Sequence, residues 1–239
     1  MHLTAPLKNV TLFTEVLERA INAPDHIPSM TTFHGFSGYG KTVSAIRAAN
    51  QYQALYLQAG FSWTQRSFCD SLLGELGVRM KGTINDKINK IIEQLIITGK
   101  PLIIDEFDLL VDKKIYNLVR EIQDKTMIPT VLIGEELLIQ KLEKDERFHN
   151  RIQEPFVAAV PADLQDARIL SEMFCQDIHI EDDLLARIHK VSQGRPRRIC
   201  VNLHHVREFA ELQDLKTVSF DIFGADRLAT GLSPARRAA

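Results

Sequence analysis

Eight consecutive residues, Gly35-Phe36-Ser37-Gly38-Tyr39-Gly40-Lys41-Thr42, have the types and spacing to hold a polyphosphate. They fit the phosphate-binding pattern G-x-x-x-x-G-K-[ST] at every position. Glycines let backbone N–H groups converge on phosphate oxygens, and a helix starting at Lys41 adds the partial positive charge of its first turn. In such a cradle, extended here to Val43, Lys41 reaches the β- and γ-phosphates and the Thr42 hydroxyl holds Mg²⁺. A second stretch, Leu102-Ile103-Ile104-Asp105-Glu106, is an apolar run that ends in two carboxylates. A buried parallel strand delivers carboxylates to the sheet edge in this way. Asp105 would hold Mg²⁺, directly or through water, and Glu106 would orient and polarise an attacking water. The plain structural alternatives are a glycine-rich turn and a core strand followed by an acidic helix cap. Both motifs in one chain point to a nucleoside triphosphate with Mg²⁺.

The elements that must position these residues follow from periodicity. Apolar residues at helical spacing predict an amphipathic helix over Leu7 to Ile21. Met30 to His34 reads as a strand feeding the glycine-rich loop. Lys41 to Gln51 reads as a helix with Val43, Ile46 and Ala49 on its apolar side. A strand over Gln53 to Gln58 precedes helices over Thr64 to Leu76 and Ile84 to Thr98, the latter stopped by Gly99. After Glu106 come a helix over Lys113 to Lys125, a buried strand over Pro129 to Gly134, a helix over Glu136 to Leu142 and a last strand near Phe156 to Val160. Strands alternating with helices predict an α/β fold with a parallel sheet covered on both faces. At Pro161 the pattern changes to three successive helices without intervening strands, Asp163 to Cys175, Glu181 to Ser192 and Pro196 to Leu212. The expected organisation is an α/β core over 1–160, a helical subdomain over 161–215 and a short tail over 216–239. The apolar piece Val218 to Phe223 should pack, and Gly231 to Ala239 should fray.

Composition narrows the classes further. The 239 residues are 45% hydrophobic and 25% charged, ordinary for a globular protein. No apolar run approaches the roughly 20 residues needed to span a bilayer, and Met1 to Pro6 lacks a secretory n-region. The expectation is a cytoplasmic protein, in a bacterial host's cytoplasm if a phage or transposon encodes it, with no membrane partner. Cys69, Cys175 and Cys200 share no metal-ligand spacing and read as buried thiols. A formal net charge of −2 argues against bulk attraction to polyanions but leaves room for a local basic strip.

The α/β nucleotide core followed by a three-helix subdomain resembles the AAA+ P-loop ATPases over nearly the whole chain. That resemblance makes Asp105-Glu106 a Walker B pair and Gly194-Arg195-Pro196-Arg197-Arg198 a sensor 2 turn, in which Arg197 would reach the γ-phosphate. It makes Arg151 an arginine finger acting on a neighbouring subunit, with Arg147 the second candidate, and so implies a homo-oligomer with the ATP site at the subunit interface. One position departs from the pattern. Where sensor 1 is commonly Asn or Thr, this chain has Gly134-Glu135-Glu136, and a carboxylate there implies slow or partner-dependent hydrolysis.

Within AAA+, the Ala-Pro-Leu-Lys-Asn-Val opening, the Gly-Tyr-Gly-Lys-Thr loop, the short helical subdomain and the Gly-Arg-Pro-Arg-Arg turn look most like the MuB/TnsC group of transposition ATPases. Phe36 and the lack of a DNA-binding extension ahead of the core depart from it. The group's properties imply filaments on duplex DNA and delivery of that DNA to a transposase. DNA-contact candidates are Arg66, Arg79, Lys81, Lys113 and Lys114, each equally readable as a solvated charge, with Trp63 either touching DNA or anchoring its loop. Two other readings stay open, a helicase-loader or replication-initiator role and a nucleotide-dependent adaptor switch without DNA.

Overall fold

The computed structural model describes residues 5–24 and 26–231. The reading of Met1 to Pro6 as lacking a secretory n-region falls mostly outside these residues, as does the expectation of fraying beyond Gly231. The chain divides into two compact units, a larger one of residues 10–37 and 41–159, and a smaller one whose described parts are 5–9, 38–40 and 160–231.

In chain order the helices up to residue 160 are α1 (Lys8–Ile21), α2 (Lys41–Tyr52), α3 (Gln65–Glu75), α4 (Ile84–Thr98), α5 (Phe107–Asp112), α6 (Tyr116–Thr126), α7 (Leu138–Leu142) and α8 (Glu146–His149). The strands are β1 (Met30–His34), β2 (Leu55–Gln58), β3 (Leu102–Asp105), β4 (Thr130–Gly134) and β5 (Val157–Ala158). They form one parallel sheet in the order β2-β3-β4-β1-β5. β3 and β4 are buried along their whole length, as strands covered on both faces must be. The order decides function: β3, β4 and β1 are neighbours, so the loops leaving their C-terminal ends share one sheet edge.

Two local readings change. In α2 the buried residues are Ser44, Ala45, Ala48 and Ala49, while Val43 and Ile46 are 53% and 44% exposed. The helix packs on β2 and β3, and small side chains allow that close approach better than branched ones. The segment after Glu106 is two helices rather than one delayed helix: α5 begins at once, and Lys114, at φ 58°, breaks it from α6. Thr83 and Asp86 close a reciprocal capping box on α4, and Gly99 ends it in the left-handed conformation.

The smaller unit holds α9 (Leu164–Phe174), α10 (Asp182–Ser192), α11 (Pro196–Leu212) and α12 (Phe220–Phe223). It also contains a feature the helical periodicity concealed, a two-stranded parallel pair of β6 (His179–Ile180) and β7 (Thr217–Val218). Residues 216–231 are part of this unit, with Val218 and Phe223 fully buried beside Leu184, Ile188 and Leu203. Asn202, itself fully buried, donates to the Ala229 carbonyl at 3.0 Å and accepts from its N–H at 2.8 Å, which fastens the segment around Ala229 to α11. Cys69 and Cys175 are buried and Cys200 is half-buried, all as free thiols. No helix among the described residues is long and apolar enough to cross a membrane.

Candidate nucleotide site

The loop between β1 and α2 carries the phosphate-binding pattern, and its glycines are used. Gly35 has φ 147°, and a Cβ there would lie 3.2 Å from the Ala159 Cβ and carbonyl oxygen. At the tip, the Tyr39 carbonyl accepts from Asn9 Nδ2 at 2.7 Å, and Asn9 exchanges further bonds with Val160. Lys41 Nζ donates to the carbonyls of Gly35 at 2.5 Å and Phe36 at 3.1 Å, so its ammonium is folded over the loop that would cradle a phosphate.

Asp105 is 2% exposed, and its carboxylate is fully used. Oδ2 accepts from Thr42 Oγ1 at 2.7 Å and from the Tyr56 hydroxyl at 2.9 Å, while Oδ1 accepts the Glu106 N–H at 2.8 Å. A hydroxyl and a carboxylate in direct contact are hard oxygen donors of the kind Mg²⁺ takes alongside phosphate oxygens and waters. Thr42 and Asp105 therefore fit as the protein's share of an Mg²⁺ site. Tyr56 belongs to this cluster and was not legible in the sequence, because β2 carries no motif. Its hydroxyl is pushed well above the ordinary tyrosine range by burial, then by the Asp105 charge, which keeps it a donor.

Glu106 sits in the left-handed region at φ 56° as the N-cap of α5, with no capping bond from its side chain. Such strain in a non-glycine residue is kept where a side chain must be aimed. Burial raises its pKa first, and the Asp105 charge adds to the effect. Lys41 shifts downward, chiefly through desolvation, against the opposing pull of Asp105, Glu106, Glu135 and Asp108. The charges of four carboxylates thus act on one ammonium. His34, at the C-terminal end of β1, is lowered by burial and then by Lys41, and its Nδ1 is buried without a hydrogen bond.

The other expected residues have the following surroundings. Arg151 forms a two-point pair with Asp124 on α6, with Nη2 to Oδ2 at 2.9 Å, and also donates to the Arg147 carbonyl. Arg147 is exposed on α8. In the Gly194–Arg198 turn, Arg197 is exposed in the first turn of α11. Arg195 lies beside Gly38, where a Cβ would come within 3.7 Å of its Cδ. Arg66 is exposed and lies 3.9 Å from Asp70, and Arg79 and Lys81 are exposed between α3 and α4. Lys114 is exposed, but Lys113 is engaged: Nζ donates to the Trp63 carbonyl at 3.2 Å and to that of Phe61, and lies 5.1 Å from the Phe61 ring centre. Lys113 braces the loop after β2, and Trp63 anchors it by packing over Gly60. An open groove of about 1040 Å³ in the smaller unit, lined by Arg168, Glu172, His179 and Lys216 among others, contains none of these residues.

Sheet order, phosphate loop and paired carboxylates together define an AAA+ P-loop NTPase fold. Residues 26–142 match the family described as AAA domain. No curated protein matches it. Among solved structures it is similar to the Aeropyrum pernix ORC1 protein in complex with DNA, at 18% identity over 92% of this chain and 62% of that one, TM-score 0.62. It is also similar to Cdc6p from Pyrobaculum aerophilum, at 15% identity over 91% of this chain and 66% of that one, TM-score 0.63. The Thermotoga maritima RuvB Holliday junction branch migration motor matches at 20% identity over 90% of this chain and 66% of that one, TM-score 0.60. The chain thus spans less than two thirds of each of these relatives.

Proposed function

We propose that this protein is a Mg²⁺-dependent ATPase whose nucleotide state governs its assembly on DNA. The observation that carries the reading is the joined constellation of Lys41, Thr42, Asp105 and Glu106 at the C-terminal edge of one sheet. Lys41 and the loop amides bind the β- and γ-phosphates. Thr42 and Asp105 hold Mg²⁺, which when bound neutralises phosphate charge. Glu106, its pKa raised by burial and its side chain aimed by the strained backbone, orients the attacking water.

The DNA part rests on two supports. The fold is shared with an ORC1 protein in complex with DNA and with a branch migration motor. The exposed Arg66, Arg79, Lys81 and Lys114 offer phosphate contacts that a repeating assembly would multiply despite a net charge of −2. Arg151 is proposed as the residue given in trans to a neighbouring ATP site, exchanging Asp124 for the γ-phosphate, and Arg197 as the sensor 2 arginine. Among DNA roles, the loop and turn sequences favour a MuB/TnsC-type filament that delivers duplex DNA to a transposase. A replication-initiator or loader role is the second reading, supported by the likeness to ORC1 and Cdc6p.

The test is Mg²⁺-ATP hydrolysis together with particle size on duplex and on single-stranded DNA. ATP-dependent growth on duplex, with turnover abolished by Glu106→Gln, is expected. A monomer under all conditions refutes the assembly reading, and preference for single strands replaces the filament reading with the loader one.

A further inference from the structure

We propose that the groove in the smaller unit is a docking site for a basic, extended segment of a partner protein, held through lysine or arginine side chains. The groove measures about 1040 Å³, and one wall is the face of α9 that carries Arg168, Ser171, Glu172 and Cys175. Its other wall runs from Gln176 through β6 to the start of α10, with Lys216 just ahead of β7. The walls are tied together. Arg168 Nη1 donates to the Ile180 carbonyl at 2.7 Å and Nη2 pairs with Asp182, so α9 is fixed to β6 and α10. The His179 and Glu181 amides donate to the Lys216 and Val218 carbonyls at 2.8 and 3.0 Å, and the Phe220 N–H donates to Asp183 Oδ2 at 3.1 Å. A groove formed in advance spares a ligand the cost of ordering its site.

Charge selects the ligand. Five carboxylates line the groove, against the cations Arg168 and Lys216. Asp182 is paired with Arg168, and Asp183 accepts from backbone N–H groups. Glu172, Asp177 and Glu181 are exposed and have neither an ion pair nor a side-chain hydrogen bond among the described residues. Ser171 is a second, independent sign of a ligand. It is 3% exposed and lines the groove, yet its hydroxyl has no partner among the described residues. A buried hydroxyl facing a groove is completed by a donor that enters, such as a guanidinium or a peptide N–H. A metal ion does not fit, because no three metal-ligating side chains among the described residues come together. Carboxylates spread over α9, the segment after it and the start of α10 suit charges spaced along a chain. An extended segment presents alternate side chains about 6–7 Å apart on one face. Lysine and arginine stems also lie well on apolar surface, here Ile178, while their heads reach the carboxylates. A thin polyamine would leave an open groove of this volume mostly to water, whereas a peptide backbone with its side chains occupies it.

The experiment titrates the intact chain into a fluorescein-labelled peptide of alternating lysine and glycine, read by fluorescence anisotropy. Salt at about 0.1 M limits the reach of net charge to about 10 Å, so that local pairs decide the result. Saturable binding is expected. The combined variant Glu172→Gln, Asp177→Asn, Glu181→Gln should weaken it by about tenfold, since each exposed pair contributes up to a few-fold. Ser171→Ala should weaken it by about two- to tenfold, the loss of one hydrogen bond. A control in the larger unit, Glu15→Gln, Glu75→Gln, Glu143→Gln, removes the same charge and should stay within about twofold of the parent. Absence of saturable binding by the parent overturns the proposal, as do groove variants that bind like the control. Spermidine that binds as tightly as the peptide, with the same dependence on Glu172, Asp177 and Glu181, makes the occupant a polyamine and overturns the protein partner. Self-association of the parent without nucleotide in analytical ultracentrifugation, lost in the groove variant, seats a second copy of this chain there and overturns it equally. None of these residues bears on the nucleotide, so failure here leaves the ATPase reading standing, and the reverse holds too.

Discussion

Removing the hydroxyl of Tyr56 isolates one strut of the nucleotide site without touching any motif residue. In Tyr56→Phe the ring is kept and one donor to the buried Asp105 carboxylate is lost. Hydrogen bonds to charged groups contribute about 1.5–3 kcal/mol. Asp105 keeps the Thr42 hydroxyl and the Glu106 amide, so the lower end applies, about 1.5 kcal/mol. For a chain of this size that corresponds to a melting temperature lower by about 3–6 °C. Urea unfolding of the nucleotide-free protein measures the loss directly. The cycle with Asp105→Asn shows whether it flows through the carboxylate, with a coupling of about 1 kcal/mol expected. Because Tyr56 holds its proton to well above its ordinary range, the difference should be the same in mildly acidic and mildly alkaline buffer. A variant within about 0.3 kcal/mol of the parent, or a loss fully retained beside Asp105→Asn, would refute the strut.

Glu106→Gln should keep ATP binding and slow hydrolysis by about 10²–10⁴-fold, the range for losing a positioned general base, as measured by phosphate release. The same change has a pH signature. The folded pKa of Glu106 is raised, first by burial and then by Asp105, so the folded state holds this proton to higher pH than the unfolded chain does. Stability is therefore lost as pH rises through the window between the two values. Glu106→Gln should melt higher than the parent at neutral pH, and the gain should shrink as pH falls into the ordinary carboxylate range. Lys113→Ala should release the loop after β2 and change the emission of Trp63, the only tryptophan, while leaving the salt dependence of DNA binding nearly unaltered. A salt slope reduced by about one unit would instead make Lys113 a phosphate contact. Asn202→Ala should destabilise the smaller unit by about 2–4 kcal/mol, because buried partners lose their bonds, and hydrogen exchange should show residues 224–231 opening first.

The sequence alone determined what depends on local rules. Glycine spacing before a lysine and a hydroxyl specifies a phosphate cradle, since backbone approach and side-chain reach are set within eight residues. An apolar run ending in Asp105-Glu106 specifies a buried strand delivering carboxylates, and periodicity specified the alternation that builds the parallel sheet. The tertiary structure decided everything that required two distant segments to meet. Strand order brought the ends of β1, β3 and β4 together, and with them Tyr56 and Asp108, neither of which sits in a recognisable spacing. It turned α2 so that Ser44 and alanines rather than Val43 and Ile46 are buried. It tied Lys113 to two carbonyls and Arg151 to Asp124, facts of pairing that no count of charges contains. Chemistry carried by one short stretch is written in that stretch, whereas the bond from the Glu135 amide to the Asp108 carboxylate exists only once α5 and the end of β4 have packed.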